Sequence, residues 1–237
     1  GEAEKQLVLR IRRENPAYGK DKIAVILERD FSKTLSASTV GRIMTTLFEK
    51  GLITKSGACP RSKRKRNFRD KHARPWRYKD YQKMKMGERV QIDHRGVTKN
   101  GICVKHFMAW ERRSKYTHAQ LYSNAKASSA RKFLEELIDQ TPFEITSIQV
   151  DGGSEFMAEF EQACADKQIP LIVLPPSKPK YNGGIERLNK TFRSEFYNQP
   201  GLLADSIGAL RAELKKALHK YNNYRPHKAL DGLTPMD

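Results

Sequence analysis

The sequence predicts an α/β sheet domain preceded by a small all-helical domain. Over the first ~55 of its 237 residues, apolar side chains recur at spacings of three and four, as on one face of a helix. From about residue 89 the spacing changes to two, and strand and helix patterns then alternate. A hydrophobic content of 38% is enough for a buried core, and the length allows one large or two modest domains.

Three helices are predicted at the N-terminus, where they would pack as a small bundle. Ser36 or Ser38 supplies the N-cap of the third helix, which also has a polar face with Thr39, Arg42 and Thr46. This pattern favours a helix-turn-helix whose third helix enters a DNA major groove, although any three-helix bundle would look similar. The predicted helices cover residues 5–13, 20–30 and 38–50.

A basic segment follows these helices and carries much of the charge. The formal net charge is +18, and residues 1–90 hold 24 basic against 10 acidic residues, or +14 of that total. Such an excess favours a polyanionic partner, and a basic DNA-contacting linker is predicted over 56–87. A solvated linker or a localisation signal is the alternative. The candidate phosphate contacts are Arg61, Lys63, Arg64, Lys65, Arg66 and Arg69.

Composition also argues against several other classes of protein. The three cysteines are widely separated and show no Cys-x-x-Cys pair, which favours a reducing compartment and argues against a zinc module. The longest apolar runs are strand-sized, far below the ~20 residues of a membrane span, so no membrane partner is expected. Because the chain starts at Gly1 and enters a helical pattern almost at once, we expect a fragment or a processed chain.

The region from 88 to 237 alternates strands and helices. Three strands in a meander come first, followed by a helix, a strand, a second helix and another strand. A long helix is then predicted from near Asn182. The three meander strands are predicted at 89–97, 101–110 and 116–122, the helices at 128–139 and 156–167, and the later strands at 145–150 and 171–174.

Three carboxylates in this region form a candidate catalytic and metal site. Asp93 lies within the first strand on the same face as Gln91, and Asp151 ends the fourth strand. Glu186 lies just inside the long helix. Each one alone has an ordinary reading, as a strand aspartate, a turn residue, or half of a Glu–Lys surface pair worth ~0.3–0.5 kcal/mol. Together they suit two Mg²⁺ ions about 3.5–4 Å apart.

Basic residues accompany the third carboxylate along the chain. Lys178 and Lys180 precede the helix, and Lys190 and Arg193 extend its polar stripe. All four are candidates for phosphate contacts near a scissile bond, and solvated surface cations are the alternative.

The conjunction of the three acids, with 34 residues between Asp151 and Glu186, resembles the DDE transposases and retroviral integrases. The resemblance covers residues ~88–237. Its motifs are DGGSEF at 151–156, PPSKPKYNGGIER at 175–187 and YNNYRPHKALDGLTP at 221–235. The last motif is similar to the ending of bacterial insertion-sequence transposases with an integrase-type core. The missing His-His-Cys-Cys module of the viral enzymes also favours that branch, whereas Asp-Gly-Gly stands where the family often has Asp-Asn-Gly.

This resemblance implies a ribonuclease-H-like mixed sheet with flanking helices in 88–237, after a helix-turn-helix domain in 1–55. It also implies that Asp93, Asp151 and Glu186 hold two Mg²⁺ or Mn²⁺ ions for DNA 3′-end cleavage and strand transfer. The implied partners are double-stranded DNA, as transposon ends and target, and further copies of the chain. The implied location is the bacterial cytoplasm at the nucleoid. A catalytically inactive, transposase-derived regulator and a ribonuclease-H-like metal nuclease are the alternatives.

Overall fold

The computed structural model describes residues 1–54, 83–174 and 179–237, with backbone alone at 179 and 180. Across these ranges, no helix combines the length and the apolar character that crossing a bilayer requires.

The N-terminal region is a bundle of α-helices. Its buried centre is formed by Val8, Ile11, Ile23, Ile26 and Val40, whose spacing along each helix places them on one face. The third helix begins after Ser36, whose hydroxyl accepts a hydrogen bond from the Thr39 N–H at 3.1 Å and so caps the first turn. The helices are α1 (Glu2–Glu14), α2 (Lys20–Phe31) and α3 (Ala37–Glu49).

A five-stranded mixed sheet forms the centre of the second region. Its strands are β1 (Val90–Lys99), β2 (Ile102–Glu111), β3 (Thr117–Tyr122), β4 (Ile148–Val150) and β5 (Leu171–Val173). The strand order is β3-β2-β1-β4-β5. The meander β1-β2-β3 is antiparallel, whereas β4 is parallel to both β1 and β5. The predicted meander and the mixed sheet are therefore confirmed.

Helices cover both faces of this sheet, each with its own hydrophobic core. One core joins Ile92 and Phe107 of the sheet to Phe133 and Phe160 of the first two helices. The opposite core joins Met108 and Leu121 to the other two helices. Successive strand residues thus serve opposite cores, as the period of two predicts. These helices are α4 (Ala127–Gln140) and α5 (Glu159–Asp166) on the first face, and α6 (Gly183–Phe192) and α7 (Ile207–Asn223) on the second.

Two elements differ from the sequence prediction. The helix predicted over 156–167 is broken, because Ala158 has a φ of 48° that separates α5 from a short 3-10 turn at Ser154–Phe156. The helix that starts at Gly183 continues beyond α6 as a π-helical turn at Arg193–Tyr197. Neither feature leaves a local signal in the spacing of apolar residues.

The N-terminal helices pack against the end of the chain. Lys22 of α2 donates to Glu195 at 2.6 Å, and Arg29 donates to the carbonyl of Tyr224 at 3.1 Å. The Tyr224 side chain joins the core of the N-terminal bundle. At Gly232, where φ is 93°, Val25 lies 3.3 Å from the position that a Cβ would occupy. The N-terminal helices and the end of the chain are therefore joined by hydrogen bonds and by apolar contacts.

Candidate active site

Two of the predicted carboxylates occupy equivalent positions on neighbouring parallel strands. The pairing of β1 with β4 matches Gln91 with Gln149, and the same offset aligns Asp93 with Asp151 just beyond the end of β4. Burial and, after it, the negative charge of Asp151 together raise the pKa of Asp93 to about 6. The structure thus brings these two carboxylates close enough to repel each other.

Helix α6 lies across the face of the sheet that carries these carboxylates. The Ile185 N–H donates to Gln91 Oε1 at 3.2 Å, and Asn189 Nδ2 donates to Asp93 Oδ2 at 3.1 Å. Glu186 therefore sits on the helix between two contacts to β1, one residue after the first and one turn before the second. Its side chain is exposed. The three predicted site residues thus come from elements that meet at one end of β4.

The turn after Asp151 is fixed by its own hydrogen bonds. Asp151 Oδ1 accepts from the Gly153 N–H at 3.2 Å. Glu155 pairs with His94 Nδ1 at 3.0 Å, and the His94 ring stacks on Phe107 with centroids 5.0 Å apart. Because His94 alternates with Asp93 along β1, this pair lies on the other face of the sheet. Glu155 therefore contacts β1 on the face away from Asp93 and Asp151.

The donor set at this site suits a hard divalent cation. Carboxylate oxygens are the ligands that Mg²⁺ and Mn²⁺ prefer. A cation would also relieve the repulsion between Asp93, which is half-buried, and Asp151. Within the parts of the chain that the structure describes, no group of three or more His, Cys, Asp or Glu side chains is arranged as a metal site. Ligation by Glu186 remains a prediction.

The sequence reasoning did not give a role to three side chains that hold the site together. Gln91 and Gln149 are buried and bind the start of α6, and Asn189 binds Asp93. A signal for the glutamines was present, because the pattern apolar–Gln–apolar–Asp occurs twice, at 90–93 where β1 begins and at 148–151 across the end of β4.

The predicted DNA contacts that the structure describes lie mainly at the surface. Arg42, Thr46, Lys190 and Arg193 are exposed, whereas Thr39 is half-buried beside the cap of α3. The remaining candidates, including the Lys180 side chain, lie outside the described residues. These are Arg61, Lys63, Arg64, Lys65, Arg66, Arg69, Lys178 and Lys180.

Sequence comparison connects this site with a known family. Residues 167–235, which include α6 and Glu186, match the family model described as "Integrase core domain". This part of the chain is therefore similar to the integrase cores of the DDE transposase and integrase superfamily.

Two curated proteins are similar to parts of the chain. A protein described as "Putative integrase ORF3" from Spiroplasma virus SpV1-C74 is 26% identical over 135 residues, covering 52% of this chain and 37% of that protein. The "Insertion element IS407 uncharacterized 31.7 kDa protein" of Burkholderia multivorans is 29% identical over 92 residues, covering 38% and 32%. The chain thus spans about a third of the length of these relatives.

Solved structures of retroviral integrases share the fold of the sheet domain. The catalytic core of BIV integrase aligns with a TM-score of 0.51 at 22% identity, covering 63% of this chain and 91% of that one. The HTLV-2 integrase core, solved with magnesium, aligns with a TM-score of 0.51 at 16% identity, covering 63% of this chain and 94% of that one. A chain of the simian T-cell lymphotropic virus intasome aligns with a TM-score of 0.57 at 16% identity, covering 97% of this chain and 73% of that one. The sheet domain therefore has the ribonuclease-H-like fold of these integrase cores.

Proposed function

We propose that this protein is a DNA transposase that binds transposon ends, cleaves the DNA 3′ ends and transfers the strands into target DNA. One observation carries the proposal: Asp93 of β1 is in register with Asp151, which directly follows the parallel strand β4, and both lie beneath the helix that carries Glu186. A ribonuclease-H-like sheet serves many proteins, so the fold alone would not support this activity.

In the proposed reaction the chain's residues position the metal and the DNA. Asp93, Asp151 and Glu186 would hold two Mg²⁺ or Mn²⁺ ions, which supply activation of the attacking oxygen and stabilisation of the leaving 3′ oxygen. Asn189 fixes one oxygen of Asp93 and leaves the other side of the carboxylate to the His94 N–H. Every nucleophile is water or a DNA hydroxyl, so no covalent enzyme intermediate is required.

DNA binding in this proposal uses surfaces on both regions of the chain. The helices of 1–55 act as a helix-turn-helix, with Arg42 on the exposed face of α3 towards DNA. The basic segment 56–87 contacts phosphates, and the core of 88–237 carries the cleavage site. Lys190 and Arg193, on the exposed side of α6 and its extension, contact phosphates near the scissile bond.

The reaction joins two element ends, so the proposal includes an assembly of at least two copies. A bacterial insertion sequence is the proposed source of the chain, acting at the nucleoid. The relatives from an insertion element and from a virus-borne integrase support this class of element.

The proposal is tested with labelled duplexes that end in the terminal sequence of the protein's own element. The parent protein is expected to nick and join these duplexes only with Mg²⁺ or Mn²⁺. Asp151→Asn should bind the DNA equally well and give no product, because the metal loses a charged ligand. Asp166→Asn is the matched control, since Asp166 is an exposed residue at the end of α5.

The same assay separates the two alternatives from the proposal. Binding without metal-dependent products from the parent would contradict it and indicate an inactive regulator. Hydrolysis of an RNA–DNA hybrid without strand joining would instead indicate a ribonuclease-H-like nuclease.

A further inference from the structure

Two buried glutamines lie side by side beneath the start of α6. Gln91 is 0% exposed and Gln149 is 3% exposed, and they are direct neighbours in the β1–β4 pairing. A buried primary amide is unfavourable unless its donors and acceptor are hydrogen-bonded. The hydrogen-bond partners of these two amides therefore show which part of the structure they hold in place.

Both amides donate to the same carbonyl just before α6. Gln91 Nε2 donates to the Tyr181 carbonyl at 2.9 Å, and Gln149 Nε2 donates to it at 3.1 Å. Gln149 Nε2 also lies 3.3 Å from Asn182 Oδ1. The Tyr181 carbonyl oxygen, two residues before α6, thus accepts hydrogen bonds from both β1 and β4.

Gln91 also binds the first turn of the helix itself. Its Oε1 accepts from the Ile185 N–H at 3.2 Å. The first N–H groups of a helix have no partner within the helix, so a buried acceptor there fixes both the height and the rotation of the first turn. Glu186 is the next residue along the chain.

Close packing holds the same turn from a third direction. A Cβ at Gly184 would lie 2.0 Å from Cζ3 of Trp110, so the helix backbone rests directly on the indole. At Gly183 nothing lies within 4 Å of that position. The first turn of α6 is therefore held by two amides and one ring.

We propose that Gln91 and Gln149 are positioning residues that set Glu186 relative to Asp93 and Asp151. Each glutamine is two residues before one of the aspartates, so period two places all four side chains on the face that α6 covers. The same two side chains thus link both aspartate strands to the helix of the third carboxylate. This inference rests on the proposed function, because it assigns the role through a metal site formed by the three acids.

The test measures Mn²⁺ binding by calorimetry, so it does not depend on catalysis. Gln91→Met and Gln149→Met keep the side-chain volume and remove the hydrogen bonds. Each is expected to weaken Mn²⁺ binding by about 10- to 100-fold, the usual range when residues that orient metal ligands are changed. Gln162→Met, the same substitution at an exposed position of α5, should bind Mn²⁺ as the parent does.

A double-mutant cycle distinguishes positioning from a general loss of structure. In a Glu186→Gln background, Gln149→Met should have little further effect on Mn²⁺ affinity, because the ligand that it positions is already gone. A variant that lowers affinity equally in both backgrounds would overturn the proposal. So would glutamine variants that bind Mn²⁺ like the parent.

Folding is followed in the same samples by near-ultraviolet circular dichroism. If a methionine variant does not fold, Gln149→Asn takes its place. The asparagine side chain is one methylene shorter, so its amide does not reach the Tyr181 carbonyl. It is expected to show the same loss of affinity and the same dependence on Glu186, and parent-like binding would overturn the inference. A parent protein that binds no Mn²⁺ would instead contradict the proposed function itself.

Discussion

Replacing Glu195 by glutamine should loosen the contact between the N-terminal helices and the sheet domain. Glu195 lies in the π-helical turn after α6 and receives Arg225 through both oxygens, with Nε to Oε2 at 2.7 Å and Nη2 to Oε1 at 2.9 Å. Lys22 of α2 donates to Oε1 at 2.6 Å. The three side chains are only 13–22% exposed.

The expected loss follows from two like charges left together away from water. Removing one partner of a buried ion pair costs roughly 3–5 kcal/mol. Glu195 and Arg225 border a cavity of about 400 Å³ between the two regions, which gives water access to the cluster. Burial also lowers the pKa of Lys22. We therefore expect the lower end of the range, about 3 kcal/mol.

The measurement is chemical denaturation of the parent, Glu195→Gln and a control. Glu213→Gln removes a similar ion pair, to Lys216 at 2.7 Å, from an exposed helix surface, where such pairs contribute about 0.3–0.5 kcal/mol. Hydrogen exchange should show that protection is lost mainly in residues 1–54. A change below about 1 kcal/mol, or equal effects of both variants, would refute the reasoning.

Acid should erase the difference between the parent and Glu195→Gln. Burial alone would raise the pKa of Glu195, but the hydrogen bonds and charges of Arg225 and Lys22 outweigh burial and lower it below its usual 4.5. The carboxylate therefore contributes its full stabilisation above about pH 4.5 and loses it as the pH falls through the lower pKa of the folded state. Denaturation curves of the two proteins should converge in that direction.

Two further predictions concern the candidate site. Gly184→Ala should destabilise the protein by about 1–3 kcal/mol, because its Cβ would overlap Trp110, whereas Gly183→Ala should be neutral or stabilising; equal melting temperatures would contradict this contact. In metal-free protein, Asp93 favours folding in its protonated form, so its contribution is full below pH 3.8 and is lost as the pH rises through about 6. In thermal melts the melting temperature of Asp93→Asn should therefore rise relative to that of the parent between pH 4 and 7. A constant difference between the two melting temperatures would contradict the raised pKa.

Much of the site follows from period and position along the chain. Alternation in β1 places Gln91 and Asp93 on one face, and the structure confirms this through their contacts with Ile185 and Asn189. Such predictions succeed because a strand has only two faces, so the position of one buried residue determines the rest.

Other features could not be read from local pattern, since they depend on residues far apart in the chain. Lys22 and Glu195 are separated by 173 positions, and nothing near either one indicates the other. The break before α5 depends on Ala158 adopting a positive φ, which alanine rarely does and which no neighbouring glycine or proline announces.

Helix α6 and its π-helical extension form one continuous rod with different attachments at its two ends. Glu186 lies at the end above the carboxylates, and Glu195, nine positions later, is clamped to α2 and to Arg225. At 1.5 Å per residue, the two carboxylates are about 13 Å apart along the axis. A displacement of the N-terminal helices would therefore act on this rod at Glu195. The two glutamines hold the rod at its other end, beside Glu186.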